Sequence, residues 1–126
     1  VDARQLSMSS TKIVDLADPT NTQDAATKAY VDANGGKVTH QAITATASLN
    51  AATTFATADA TSANVTITLQ AASELRAVTI KRTDSSSNFV RIIPASGTID
   101  GATEVFISTQ YESITLIPDG TNWWVA

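Results

Sequence analysis

VTITLQAASELRAVTIKRTDSSSNFVRII, residues 65–93, is the stretch on which the reading of the fold turns. Val65, Ile67 and Leu69 alternate with Thr66 and Thr68; Val78 and Ile80 alternate with Thr79 and Lys81; Val90 and Ile92 flank Arg91. Side chains along a strand point to opposite faces in turn, so alternation of this kind marks strands with one dry face and one wet face. The polar run Asp84 to Asn88 between two such segments reads as a turn, which predicts that residues 78–82 and 89–93 pair as a hairpin. The same alternation continues at Val105 and Ile107, at Ile114 and Leu116 across Thr115, and at Trp123 and Val125 across Trp124. Asp100-Gly101 and Asp119-Gly120 supply turn signals between them. Short strands recurring every ~10 residues predict an antiparallel β-sandwich or barrel-like module. Weaker strand candidates lie at 39–45 and 54–57, inside or beside a stretch, Ala42 to Ala63, that is almost all Ala, Thr, Ser and Asn.

Upstream the period changes. Residues 1–21 carry few large apolar side chains, namely Leu6, Met8, Ile13, Val14 and Leu16, and lead to Asp18-Pro19, where proline restrains its predecessor to an extended or turn conformation. TQDAATKAYVDAN, residues 22–34, is rich in helix formers, with Asn21 or Thr22 available as a cap, Asp24 in the first turn and Gly35-Gly36 at the end. One short helix is predicted there. Its apolar face, Ala26, Ala29, Tyr30 and Ala33, is mostly alanine, and so short a helix is marginal alone in water. The switch of period after Gly36 divides the chain into a helical connector, 1–36, and a β module, 37–126.

With 126 residues the chain has room for one modest core, which excludes a large multidomain enzyme. Its hydrophobic fraction of 43% leans on alanine, so that core is thin. Thin cores need disulfides, metals or oligomerisation. There is no cysteine and one histidine, His40, which leaves oligomerisation. A net charge of −4 without a basic cluster argues against nucleic acid, whose phosphates demand concentrated Lys and Arg. No apolar run approaches bilayer-spanning length and no signal peptide is present, so no membrane insertion is expected. The absence of cysteine suits assembly in a cytoplasm, and a start at Val1 reads as a fragment or processed chain.

Two stretches resemble parts of bacteriophage tail fibre and virion appendage proteins. KIVDLADPTNTQDAATKAYVDA, residues 12–33, is similar to a connector that joins successive modules in such fibres. IDGATEVFISTQYESITLIPDGTNWW, residues 99–124, resembles the end of a small β module from the same proteins, and residues 75–97 fit its preceding strands. The resemblance implies a homotrimeric, non-enzymatic part of the virion, structural or adhesive. It would be partnered by copies of itself and by neighbouring fibre or tail proteins, and in contact with host surface polysaccharide. It carries over no ligand residues and implies no cofactor. Alternatives from other classes are a fragment of a polysaccharide depolymerase tailspike and a monomeric carbohydrate-binding or adhesin module.

Trp123 and Trp124 are neighbours on a strand, which sends one to the core and the other outward, to a subunit contact or to a sugar. Tyr111, beside Gln110 and Glu112, is a further contact candidate or a packing residue. Lys81, Arg82 and Arg91 either form a positive strip facing anionic polysaccharide or a solvated face that keeps strand edges apart. Asp100, Glu104 and Glu112 raise the idea of a glycosidase pair, but a turn role for Asp100 and exposed strand-end roles for the others are simpler. His40 alone cannot build a transition-metal site without carboxylates, and no calcium-loop pattern is present, so no metal is expected.

Overall fold

The computed structural model describes Ser10, residues 14–35 and residues 37–126; Leu6, Met8, Ile13 and Gly36 lie outside the described residues. The chain forms two compact units, Val1–Lys37 and Val38–Ala126. In the first, helix α1 spans Lys28–Asn34, beginning later than the sequence predicts. The competing structure is local. The Asp24 carboxylate accepts the backbone N–H of Thr20 and of Asn21, each at 3.0 Å, and these bonds hold its carboxyl below the usual range. Asp is thereby used for a turn instead of a first helical turn. The helix starts only at Thr27, whose hydroxyl caps the Tyr30 N–H at 3.0 Å and donates to Asp18. The expected alanine face is exposed, Ala26, Ala29 and Ala33 included.

The second unit is mainly β, with two mixed sheets. In chain order its strands are β1 His40–Ile43, β2 Ala47–Ser48, β3 Phe55–Ala58, β4 Val65–Thr68, β5 Val78–Arg82, β6 Val90–Ile93, β7 Val105–Ile107, β8 Ser113–Pro118 and β9 Trp123–Val125. One sheet runs β1-β3-β5-β8-β9 and the other β2-β4-β6-β7. Up to β6 the chain visits the sheets alternately, and each strand pairs in parallel with the strand two places on. The result is a coil of three turns, closed by antiparallel pairings of β7, β8 and β9.

This overturns the antiparallel expectation for the first six strands, and with it the β5/β6 hairpin: those strands belong to different sheets. Alternation reports which face of a strand is wet and is silent on its partner. A parallel pair needs a long crossover, and here each crossover contains a strand of the opposite sheet. Regular spacing of short strands therefore suits a coil as well as a string of hairpins.

Parallel, in-register stacking places like on like. Val65 lies beside Val90, which lies beside Ile107; Ile67 lies beside Ile92, and Ala56 beside Ile80. Both sheets feed one buried cluster, including Ala56, Ala58, Ile80 and Leu116 from one and Val65, Ile67, Val90 and Ile92 from the other. Each large apolar member contributes about 1.5–3 kcal/mol. Polar side chains close the turns between sheets. Gln41 accepts from the Asn50 N–H at 2.8 Å and the Thr53 hydroxyl at 2.7 Å, while Gln70 donates to the Thr53 carbonyl at 2.6 Å.

The outer edge of β9 is sealed by the segment before β7. The Trp123 N–H donates to the Thr98 carbonyl, the Asp100 N–H to the Trp123 carbonyl, and the Val125 N–H to the Asp100 carboxylate. Asp100 and Gly101 both have positive φ, and Ile99 and Ala102 exchange hydrogen bonds across them, the tight turn that Asp-Gly favours. At Gly97, φ +74°, an added Cβ would stand 2.4 Å from the Thr121 carbonyl oxygen.

Replacing Ile92, fully buried, with alanine is expected to destabilise the module by about 2–5 kcal/mol, against less than ~0.5 kcal/mol for Thr66→Ala on the outer face. Denaturant titration of the two variants checks this. A loss as large for Thr66 would place that side chain inside.

Candidate binding surface

The five side chains singled out from the sequence do not converge. Trp123 is buried, 1% exposed, in the shared core. Trp124 is 48% exposed on the outer face of the first sheet, opposite Ile117 of β8, with its indole N–H on the Asp119 carboxylate at 2.9 Å. That bond and those from the Thr121 and Asn122 N–H groups hold the Asp119 carboxyl below its ordinary value; the Asn122 backbone bond contributes most. Lys81 and Tyr111 sit toward the other end of that face, beyond the Thr79–Thr115 pair. The Lys81 ammonium donates to the Tyr111 carbonyl at 2.8 Å and lies 6.0 Å from its ring centre. His40 joins this face, its Nε2 2.9 Å from the Thr57 hydroxyl and its ring against Phe55.

Arg91 is on the other sheet, paired with Glu104 at 3.2 Å, so Lys81 and Arg91 form no common strip. Arg82 is excluded from one for a stronger reason: it points inward. In β5 the buried positions are Val78, Ile80 and Arg82, and strand parity delivers the guanidinium to the interior.

Interior placement of a charge is costly unless it is paired and saturated with hydrogen bonds. Arg82 meets both requirements. Its Nε and Nη2 donate to the two Asp84 oxygens at 3.1 and 2.9 Å, and Nη2 also donates to the carbonyls of Ser86 and Asn88. Nη1 donates to the Ile107 carbonyl at 3.0 Å. Asp84 in turn accepts from the Ala60 N–H, the Ser86 N–H and the Ser86 hydroxyl. Arg82 above all holds the Asp84 carboxyl far below the usual range, against the opposing cost of burial. The crossing from β5 to β6 is thus wrapped around one ion pair.

Beside this wrapping opens a cleft of about 240 Å³, lined by Arg82, Ser86, Ser87, Asn88, Phe89, Phe106, Ile107 and Ser108. Phe89 and Phe106 meet edge to face, centroids 5.8 Å apart, and stay 39% and 47% exposed. Arg91 lies opposite Phe106 across the β6/β7 ladder. Neither phenylalanine was singled out from the sequence, yet the signal was there: with Val105 and Ile107 facing inward, Phe106 must face outward, and Phe89 shares the outward parity of Arg91.

The three carboxylates weighed as catalytic have structural partners. Asp100 holds the Val125 N–H, Glu104 holds Arg91, and Glu112 holds the Thr109 N–H. Among the described residues no group of three or more His, Asp or Glu side chains could hold a metal ion, and no helix is long and apolar enough to cross a membrane. No protein-family model matches the chain, and no curated protein matches its sequence.

Removing one partner of the buried pair strands the other. Arg82→Met is expected to cost about 3–5 kcal/mol. Because the Asp84 carboxyl is depressed in the fold, its stabilisation is full above the unfolded carboxylate value of ~3.9 and is lost progressively as pH falls below it. Unfolding measured from pH 7 down to pH 2 should therefore show a slope that Asp84→Asn reduces; an unchanged slope would remove the pair from the account.

Proposed function

We propose that the chain is a non-enzymatic module of a phage tail fibre or related virion appendage, homotrimeric and sandwich-like, that assembles with neighbouring fibre or tail proteins and touches host surface polysaccharide. The observation that carries this reading is the exposure of large aromatic and apolar side chains on both outer faces: Tyr111, Trp124 and Ile117 on one sheet, Phe89 and Phe106 on the other. Trp124 lies beside Ile117 and Phe89 meets Phe106, so each face carries a pair of adjacent exposed apolar side chains, which supports contact with other molecules there. The helical segment supports the connector role, since Lys28 through Ala33 are exposed and a seven-residue helix does not hold itself in water. A thin, alanine-containing core is consistent with stability shared among subunits. The structural use of Asp100, Glu104 and Glu112 favours the non-enzymatic reading over a depolymerase fragment.

We assign the Trp124–Ile117 face to contact between copies. Light scattering across a dilution series is expected to give a mass near three times 13.2 kDa that persists on dilution, and Trp124→Ala is expected to weaken the assembly. A stable, folded monomer would overturn the trimeric reading.

A further inference from the structure

The cleft between the β5–β6 crossing and β7 has a chemistry distinct from that of the Trp124 face. Its base is a guanidinium already neutralised by a bidentate carboxylate, so the site has little net charge to offer an ion. The guanidinium is not fully spent. Arg82 carries five N–H groups, and Nη1, with two of them, has one acceptor among the described residues, the Ile107 carbonyl. A spare donor is thus held on a side chain only 2% exposed that lines the cleft. Ser86, Ser87, Asn88 and Ser108 contribute hydroxyl and amide groups to the walls, and Phe89 and Phe106 contribute exposed ring surface.

We infer that this cleft binds an uncharged, hydroxyl-rich ring, a neutral pyranose residue of a glycan, with its apolar C–H face against Phe106 or Phe89 and its hydroxyls toward the serine and asparagine walls and the spare Arg82 N–H. The match is one of opposites within a single ligand: a pyranose presents an apolar face and a polar rim, and the cleft presents aromatic carbon on one side and donors and acceptors on the other. Its volume, about 240 Å³, is below the roughly 300–1,000 Å³ of drug-sized pockets and suits one ring in place of a chain. An anionic sugar would gain little here, because Asp84 already satisfies the guanidinium charge. The binding is shallow and weak per site, which copies on one fibre would multiply through avidity.

This inference deepens the adhesive reading and rests on it, and its test separates the two. Methyl glycosides of glucose, galactose, mannose and N-acetylglucosamine, with sialic acid as the anionic comparator, are titrated against the full chain by ligand-observed NMR and by amide shifts. At least one neutral glycoside is expected to bind, with shifts at Ser87, Asn88, Phe89, Phe106 and Ser108. Phe106→Ala is expected to weaken it roughly tenfold, and Trp124→Ala to leave it unchanged. Ser87→Trp, an exposed change that fills the cleft without touching the Arg82 contacts, is expected to abolish binding in a folded protein. No binding by any neutral glycoside, preference for sialic acid, or shifts confined to Trp124 would each overturn the assignment. A trimer that binds none of these sugars defeats the cleft and leaves the fibre reading standing; a monomer that binds one supports the cleft and defeats the trimer.

Discussion

The chain crosses from one sheet to the other several times, and every crossing carries backbone polar groups past the edge of a dry core. This constraint shapes the molecule. At the β5–β6 crossing it is met by Arg82, whose guanidinium collects the carbonyls of Ser86, Asn88 and Ile107 while Asp84 collects the N–H groups of Ala60 and Ser86. One ion pair thus ties together the loop after β3, the crossing itself and strand β7. A hydrophobic pair of similar size would pack as well and would leave these groups unpaired. Gln41 and Gln70 do the same work on a smaller scale at the earlier crossings.

Given closed crossings, stacking proceeds with small residues. Ala56, Ala58 and Ala60 are fully buried, and the alanine-rich stretch that is least informative as sequence supplies the first turns of the coil. Parallel register lets alanines in the strands sit against larger neighbours, as Ala56 does against Ile80 and Ala47 against Ile67. The closing end is built differently: β8 and β9 form a hairpin through Asp119-Gly120, and the Asp100-Gly101 turn folds back to seal β9. Sealing an edge with a carboxylate and a tight turn removes a template for unwanted strand pairing.

Function, on the reading proposed, follows from which strand positions this arrangement leaves outside. Outward parity on β8 and β9 gives Ile117 and Trp124; on β6 and β7 it gives Arg91 and Phe106, with Phe89 next to the crossing. The crossing that buries Arg82 also forms one wall of the cleft, so the feature that stabilises the coil also shapes this concavity. A rigid floor of this kind favours binding, since its groups are ordered before a ligand arrives.

The sequence by itself determined the β character of residues 37–126, the faces of the main strands, the Asp-Gly turns and the outward path of one tryptophan, because alternation and turn chemistry are local properties. It also marked the helix, though Asp24 bonding to Thr20 and Asn21 shortened it. Strand pairing was decided only in three dimensions. Residues 78–82 and 89–93 look like a hairpin by distance along the chain, and they part because the dry faces of β5 and β6 meet across the core, which carries Arg82 inside with Asp84. The same step separated Lys81 from Arg91 and brought Phe89 to Phe106. Local pattern states which way a side chain points, and only the packing of two sheets around one core states what it points at.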